Sequence, residues 1–107
     1  MRDGLYRVHF ETPSGKGAGV VYIQGGKLWG GDSGLYYVGN YIETGTQLTA
    51  TVKTNRHSQF PGVISVFGRD QVTIKLVGTV KGDTVTCTGT AAEAPGVTFK
   101  AVLSRIS

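Results

Sequence analysis

The chain is 107 residues long, carries a formal net charge of +4 and contains 17 glycines but only three prolines. This length suits a single domain, residues 1–107, and the glycine excess, which has no collagen-like period, indicates many turns and sharp bends. The basic residues are scattered without a run, which argues against nucleic-acid and membrane-surface partners, and the single Cys87 excludes an internal disulfide.

Five strands are predicted in the N-terminal half, where threonine and valine, thirteen of each in the chain, favour extended backbone. Their approximate bounds are 4–11, 17–24, 27–31, 35–43 and 46–54. The second and the fourth, "GAGVVYIQ" and "LYYVGNYIE", are apolar or aromatic at both parities. A strand with two apolar faces in an otherwise alternating sheet needs cover on both sides, either from a loop of the same chain or from a partner subunit.

Gly30-Gly31-Asp32 lies between the third and fourth of these strands. A phosphate-binding glycine loop runs into a helix and is followed by lysine and then serine or threonine. Here a strand follows instead, and Lys27 precedes the glycines. We therefore predict a structural turn in which Asp32 accepts hydrogen bonds from backbone N–H groups.

The C-terminal half predicts three strands with regular alternation, at about 71–80, 84–91 and 97–105. Gly78 and Gly89 fall at inward positions, where a missing side chain relieves crowding in a coiled sheet. The connection of residues 55–70 is too long for a hairpin. We expect it to pack over one open end of the structure, with a short helical turn after Pro61-Gly62.

Eight consecutive strands predict an all-β fold, an eight-stranded up-and-down antiparallel barrel, because closure removes the exposed edges of an open sheet. Such a barrel is either filled by its own side chains or holds one small ligand. The chain runs directly into a strand pattern, and no stretch approaches the about 18 consecutive apolar residues that cross a bilayer. We therefore expect a cytoplasmic protein that does not contact membranes.

No grouping for catalysis or metal binding is evident. His9 falls at an outward position of the first strand and His57 in the long connection, and no spacing motif joins them to a carboxylate. Cys87 lies at an inward position, where a thiol behaves as a small hydrophobic side chain. We therefore expect no enzymatic activity, no cofactor and no metal.

Ten aromatic residues, mostly in the first four strands, leave three roles open. They can fill the core, line an apolar interior pocket, or form a hydrophobic face for a second subunit or a partner. The candidates for the interior pocket are Tyr6, Phe10, Trp29 and Phe99. The candidates for the partner or dimer interface are Val21, Ile23, Tyr37, Tyr41, Ile42 and Glu43.

The N-terminal half also resembles a known family. The segments "DGLYRVHF", "GKGAGVVYI" and "GGKLWGGDSGLYYVGNY", in this order and spacing up to about Thr54, resemble the GrlR-like negative regulators of type III secretion. The resemblance implies a lipocalin-like β-barrel and a homodimer that acts by binding a protein. In that family an acidic run of four residues after the fourth strand is tied to the capture of a transcriptional activator. The matching residues here are Glu43, Thr44, Gly45 and Thr46, so the resemblance carries no regulatory site.

Two functions are therefore expected as alternatives. The first is a non-enzymatic protein-binding module, a homodimer that sequesters a protein partner as a GrlR-like negative regulator does. The second is a lipocalin-like carrier of a small apolar ligand in the barrel interior.

Overall fold

In a computed structural model of the protein, which describes residues 1–107, eight antiparallel strands close into one barrel. The predicted all-β, up-and-down barrel is confirmed. The strands are β1 (Gly4–Thr12), β2 (Gly15–Gln24), β3 (Lys27–Gly31), β4 (Leu35–Thr44), β5 (Gln47–Arg56), β6 (Val72–Lys81), β7 (Thr84–Ala91) and β8 (Phe99–Arg105). No helix that is long and apolar enough to cross a membrane is present.

Each strand pairs with its neighbours in sequence, and β1 pairs with β8 to close the barrel, with Val8 opposite Leu103. Because side chains alternate along a strand, one parity of every strand points into the barrel and the other points to solvent. In β7, Val85 and Cys87 are buried whereas the threonines between and beside them are exposed. The inward parity forms a single apolar core that includes residues of all eight strands.

The two ends of the barrel differ. At the end where the chain begins, the interior is filled by side chains, and Tyr6, Ile23 and Val85 are fully buried there. The Tyr6 hydroxyl donates a hydrogen bond to the carbonyl oxygen of Arg2 at 2.6 Å. We call this end the closed end. The opposite end, where β1, β3, β5 and β7 finish, is called the cavity end.

Glycine allows close approach between strands at two inward positions. A side chain on Gly89 would collide with the carbonyl oxygen of Lys75, and one on Gly78 would collide with the sulfur of Cys87. The prediction that these two glycines relieve crowding is confirmed.

The long connection between β5 and β6, residues 57–71, contains turns and no helix. The amide of Val63 donates to the carbonyl oxygen of Phe60, and the amide of Gly68 donates to that of Ser65. These bonds span three residues each and are not continued, so the predicted helical turn after Pro61-Gly62 is wrong. The connection lies over the cavity end, and we call it the cap segment.

Candidate functional site

A cavity of about 290 Å³ lies inside the cavity end of the barrel, and most of the residues that line it are apolar. Its walls come from the inward side chains of most strands, and the cap segment contributes Val63 to Phe67. Ser65 and Val66 are buried in this contact, whereas Ile64 and Phe60 of the same segment remain exposed. The cap segment therefore covers the cavity with one side and faces solvent with the other.

One wall of the cavity is aromatic. The ring of Phe10 meets that of Tyr37 edge to face with centroids 6.1 Å apart, and it stacks on Phe99 at 6.0 Å. Phe67 of the cap segment also stacks on Phe99, with ring centroids 5.3 Å apart. Such pairs contribute about 0.5–1.5 kcal/mol each beyond the burial of their area. The contacts among these side chains therefore fix the position of this wall.

The main polar feature of the cavity wall is a hydrogen-bonded pair, Asp32 and Tyr37. One carboxylate oxygen of Asp32 accepts the amides of Gly34 and Leu35 at 2.9 and 2.8 Å, and the other accepts the Tyr37 hydroxyl. Burial, and then the hydrogen bond and charge of Asp32, raise the pKa of Tyr37. The phenol therefore stays protonated and donates. Asp32 makes no ion pair with any lysine or arginine.

Threonine side chains and one arginine hold the cap segment on the barrel. Thr12 donates to the carbonyl oxygen of Val66 at 2.6 Å, and Thr54 donates to that of Asp70 at 2.8 Å. Arg56 donates two hydrogen bonds to the Asp70 carboxylate, at 3.0 and 2.9 Å. It also donates to the carbonyl oxygens of Ser58 and Val63 in the cap segment. Because the bonds to Arg56 favour the ionised acid, they lower the pKa of Asp70.

A second candidate region lies on the outside of β2, β3 and β4. Tyr22 is directly opposite Trp29, and Trp29 is opposite Val38, so these three side chains form a row across three strands. The neighbouring row contains Val20 and Tyr36, on either side of Gly31. The five side chains are between 42% and 45% exposed. We call this surface the aromatic face; it comprises Val20, Tyr22, Trp29, Tyr36 and Val38.

Basic residues border the aromatic face. Arg7 on β1 is paired with Val20, and Lys53 on β5 is paired with Val38. Both are exposed. A half-exposed apolar centre with a polar, charged margin is the usual composition of a protein interface.

The residues predicted for the interior pocket separate into three groups. Phe10 and Phe99 line the cavity. Tyr6 points inward, but it belongs to the packed closed end and does not line the cavity. Trp29 lies outside the barrel, so its assignment to the pocket is wrong. Leu28 occupies the inward position of β3, and alternation then places Trp29 on the opposite face.

The predicted interface residues do not form one surface either. Val21, Ile23 and Tyr37 are buried inside the barrel, so their assignment to an interface is wrong. Tyr41 is partly buried against the core, and only Ile42 stands outward with 71% of its surface exposed. Glu43 bends over the closed end, where its carboxylate accepts a hydrogen bond from the N-terminal amino group of Met1 at 2.6 Å. In strands that are apolar at both parities, alternation does not show which parity is buried.

The turn predicted at Gly30, Gly31 and Asp32 begins at Asp32, two residues later than expected. Gly30 and Gly31 are the last residues of β3, and a side chain on Gly30 would collide with the carbonyl oxygen of Val20. Asp32 starts the turn and accepts the amides of Gly34 and Leu35. The predicted role of Asp32 as an acceptor is confirmed.

His9, His57 and Cys87 lie in three different parts of the structure. His9 is exposed on the outside of β1, and the His57 ring lies 2.9 Å from the carbonyl oxygen of Asp32. Cys87 is buried, and burial raises the pKa of its thiol to about 11. No three histidine, cysteine, aspartate or glutamate side chains lie close enough together to hold a metal ion.

Comparison of the chain with models of known protein families finds no match, and comparison with curated protein sequences finds none either. Function is therefore inferred from the two regions described above, the cavity and the aromatic face.

Proposed function

We propose that this protein is a non-enzymatic protein-binding module that forms a homodimer and sequesters a protein partner, as a GrlR-like negative regulator. The observation that carries this proposal is the aromatic face, in which two tyrosines and a tryptophan are held half exposed on three paired strands. A barrel needs none of these side chains for its core, because they point away from it.

The size and composition of the aromatic face support a contact surface. Tyr22, Trp29 and Tyr36 leave about 250 Å² of aromatic surface open to solvent, given about 150–250 Å² for a whole side chain and the exposures above. An area of this size suits the centre of a standard interface, which buries about 800 Å² of surface on each partner. The polar margin would supply the remaining area. Tyrosine and tryptophan at interface centres carry a large share of binding energy.

The position of Glu43 bears on how a regulator of this shape would capture its partner. Glu43 is the single acid at the residues that match the family's acidic run, and its carboxylate is held by the N-terminal amino group at the closed end. The neighbouring residues 44–46 are exposed but uncharged. This hairpin therefore lacks the acidic surface for partner capture, and we assign the dimer contact to the aromatic face.

Self-association is tested by sedimentation velocity between 1 and 200 μM, together with the fluorescence of Trp29, the single tryptophan of the chain. We expect a concentration-dependent dimer whose formation shifts the Trp29 emission to shorter wavelength. The double variant Tyr22→Ser/Tyr36→Ser should stay monomeric and keep the probe. Val77→Ser is the matched control, because it also removes an exposed apolar side chain. Val77 is 57% exposed, but it lies on β6, outside the aromatic face. A protein that remains monomeric with unshifted emission at 200 μM contradicts the dimer.

The second candidate function is a carrier of a small apolar ligand, and the cavity of about 290 Å³ favours it specifically. This volume is at the lower end of the range of ligand sites, about 300–1,000 Å³. Native mass spectrometry of protein purified from cells tests it: a bound adduct supports a carrier. A bare polypeptide mass combined with no thermal shift for any apolar compound counts against it.

A further inference from the structure

The cavity wall contains one carboxylate whose hydrogen-bond donors are all neutral. Two of them are backbone amides and the third is the Tyr37 hydroxyl. No lysine or arginine forms an ion pair with Asp32, although two cations lie nearby. Arg56 is engaged by Asp70, and Lys16, which is among the residues that line the cavity, is 82% exposed and lies 4.0 Å from the carboxylate of Glu11. Direct contacts to the Asp32 carboxylate therefore come only from neutral dipoles, while Arg56, which is paired with Asp70, acts on it at longer range.

This arrangement discriminates between ligand head groups. The phenol of Tyr37 uses its hydrogen in the bond to Asp32, so both residues present lone pairs, which accept, to a ligand. A carboxylate head would meet a like charge and find no side-chain donor at this pair. A hydroxyl would donate one hydrogen bond, and an ammonium would donate hydrogen bonds and also bring a positive charge into direct contact with the carboxylate.

We propose that the cavity binds a compact apolar amine, whose ammonium group pairs with Asp32 while its hydrocarbon body packs against the aromatic wall. This inference rests on the second candidate function, the carrier. Phe10 and Phe99 give that body a stacked aromatic surface, and an ammonium near the Tyr37 ring gains a favourable interaction with its π face.

The volume limits the size of the amine. A cavity of about 290 Å³ corresponds to the space that about ten water molecules occupy in the liquid, at about 30 Å³ each. A ligand of about ten to fifteen non-hydrogen atoms therefore fills it, since a carbon takes up less space than a liquid water molecule. The site therefore suits the compact body of an arylalkylamine or a short alkylamine.

The test compares three probes with the same apolar body, 2-phenylethylamine, 2-phenylethanol and 3-phenylpropionate, by isothermal titration calorimetry at pH 7. We expect the amine to bind at least tenfold more tightly than the alcohol and the carboxylate to bind most weakly. In Asp32→Asn, whose amide oxygen still accepts the turn amides, the preference for the amine should fall below twofold while alcohol binding is retained. Glu11→Gln removes one negative charge at the same barrel end outside the cavity and should leave the preference unchanged.

The outcomes separate this inference from the carrier function. If none of the probes binds, the amine inference is overturned, and the native mass spectrum decides the carrier function separately. If the three bind equally, or the carboxylate binds most tightly, the carrier function stands and the amine inference is overturned. If the preference persists in Asp32→Asn, Asp32 is not the counter-ion and the inference is again overturned. Should Asp32→Asn not fold, Tyr37→Phe takes its place; it removes one acceptor and should weaken amine and alcohol binding about threefold or more.

Discussion

Replacing Asp32 by alanine removes three hydrogen bonds at once, two within the turn after β3 and one to the Tyr37 hydroxyl. Hydrogen bonds to a charged partner contribute about 1.5–3 kcal/mol each, and a buried donor left without a partner costs about 1–3 kcal/mol. Gly34 and Leu35, which supply the turn amides, are buried and Tyr37 is only 7% exposed, so water replaces these bonds only in part. We therefore expect Asp32→Ala to lower the free energy of unfolding by about 3–4 kcal/mol.

Equilibrium unfolding in urea measures this change, and a thermal melt should show a fall in Tm of roughly 15 °C or more, at about 4–8 °C per kcal/mol. Tyr37→Phe alone should cost about 1 kcal/mol, because it removes a bond but leaves Asp32 with its two amide donors. In the Asp32→Ala background the same change should be neutral or stabilising, since it then removes an unpaired hydroxyl. Asp83→Ala is the control: Asp83 is half exposed and its pair with Arg2 is screened by solvent, so stability should change much less.

Two results refute this reasoning. The first is an Asp32→Ala variant within about 1 kcal/mol of the parent, which would mean that water replaces all three bonds. The second is a Tyr37→Phe change of equal cost in both backgrounds, which would mean that the hydroxyl and the carboxylate are not coupled.

Three further predictions concern other parts of the barrel. Gly89→Ala forces a methyl group against the carbonyl oxygen of Lys75 and should destabilise by about 1–3 kcal/mol in urea unfolding. Cys87, buried and with its pKa raised to about 11, should react with iodoacetamide at pH 8 far more slowly in the native protein than in 8 M urea; equal rates would contradict its burial. Because Arg56 lowers the pKa of Asp70, the pair stabilises the fold above the ordinary aspartate pKa of 3.8, and this stability is lost as pH falls through the lower native value. Arg56→Met should therefore flatten the dependence of stability on pH below about 4, and an unchanged slope would show that the pair does not contribute.

The barrel was predictable because most strands alternate strictly. In β6 and β7, apolar side chains and glycine occupy one parity, and threonine and lysine occupy the other with Val77 as the one exception, so the direction of the core follows directly from the sequence. The strand bounds agree to within two residues, and differences of two occur at the start of β2, the end of β5 and the start of β8. Strand β8 starts at Phe99 because Val97 is held in a turn by its bond to Ala94.

The two candidate regions were harder to predict for one physical reason. Strands β2 and β4 are apolar at both parities, so the sequence pattern cannot tell Tyr36 from Tyr37, and a one-residue error exchanges inside for outside. The structure places Tyr37 inward beside Asp32 and Tyr36 outward. The signal that does exist is in β3, where Leu28 and Trp29 are neighbours and the more polar indole takes the outer position.

The same alternation makes the two proposed functions separable. Tyr37 lines the cavity and Tyr36, the next residue along β4, belongs to the aromatic face, so the two regions share a strand but no side chain. A change at Trp29 alters only the outside of β3, because the inward position there belongs to Leu28, and a change at Phe10 alters only the cavity wall. A cavity that keeps its shape in both the monomer and the dimer binds its ligand equally in each, so ligand binding stabilises the fold without shifting the dimer equilibrium. Loss of dimerisation in Tyr22→Ser/Tyr36→Ser with amine binding intact is therefore the combination that this architecture requires.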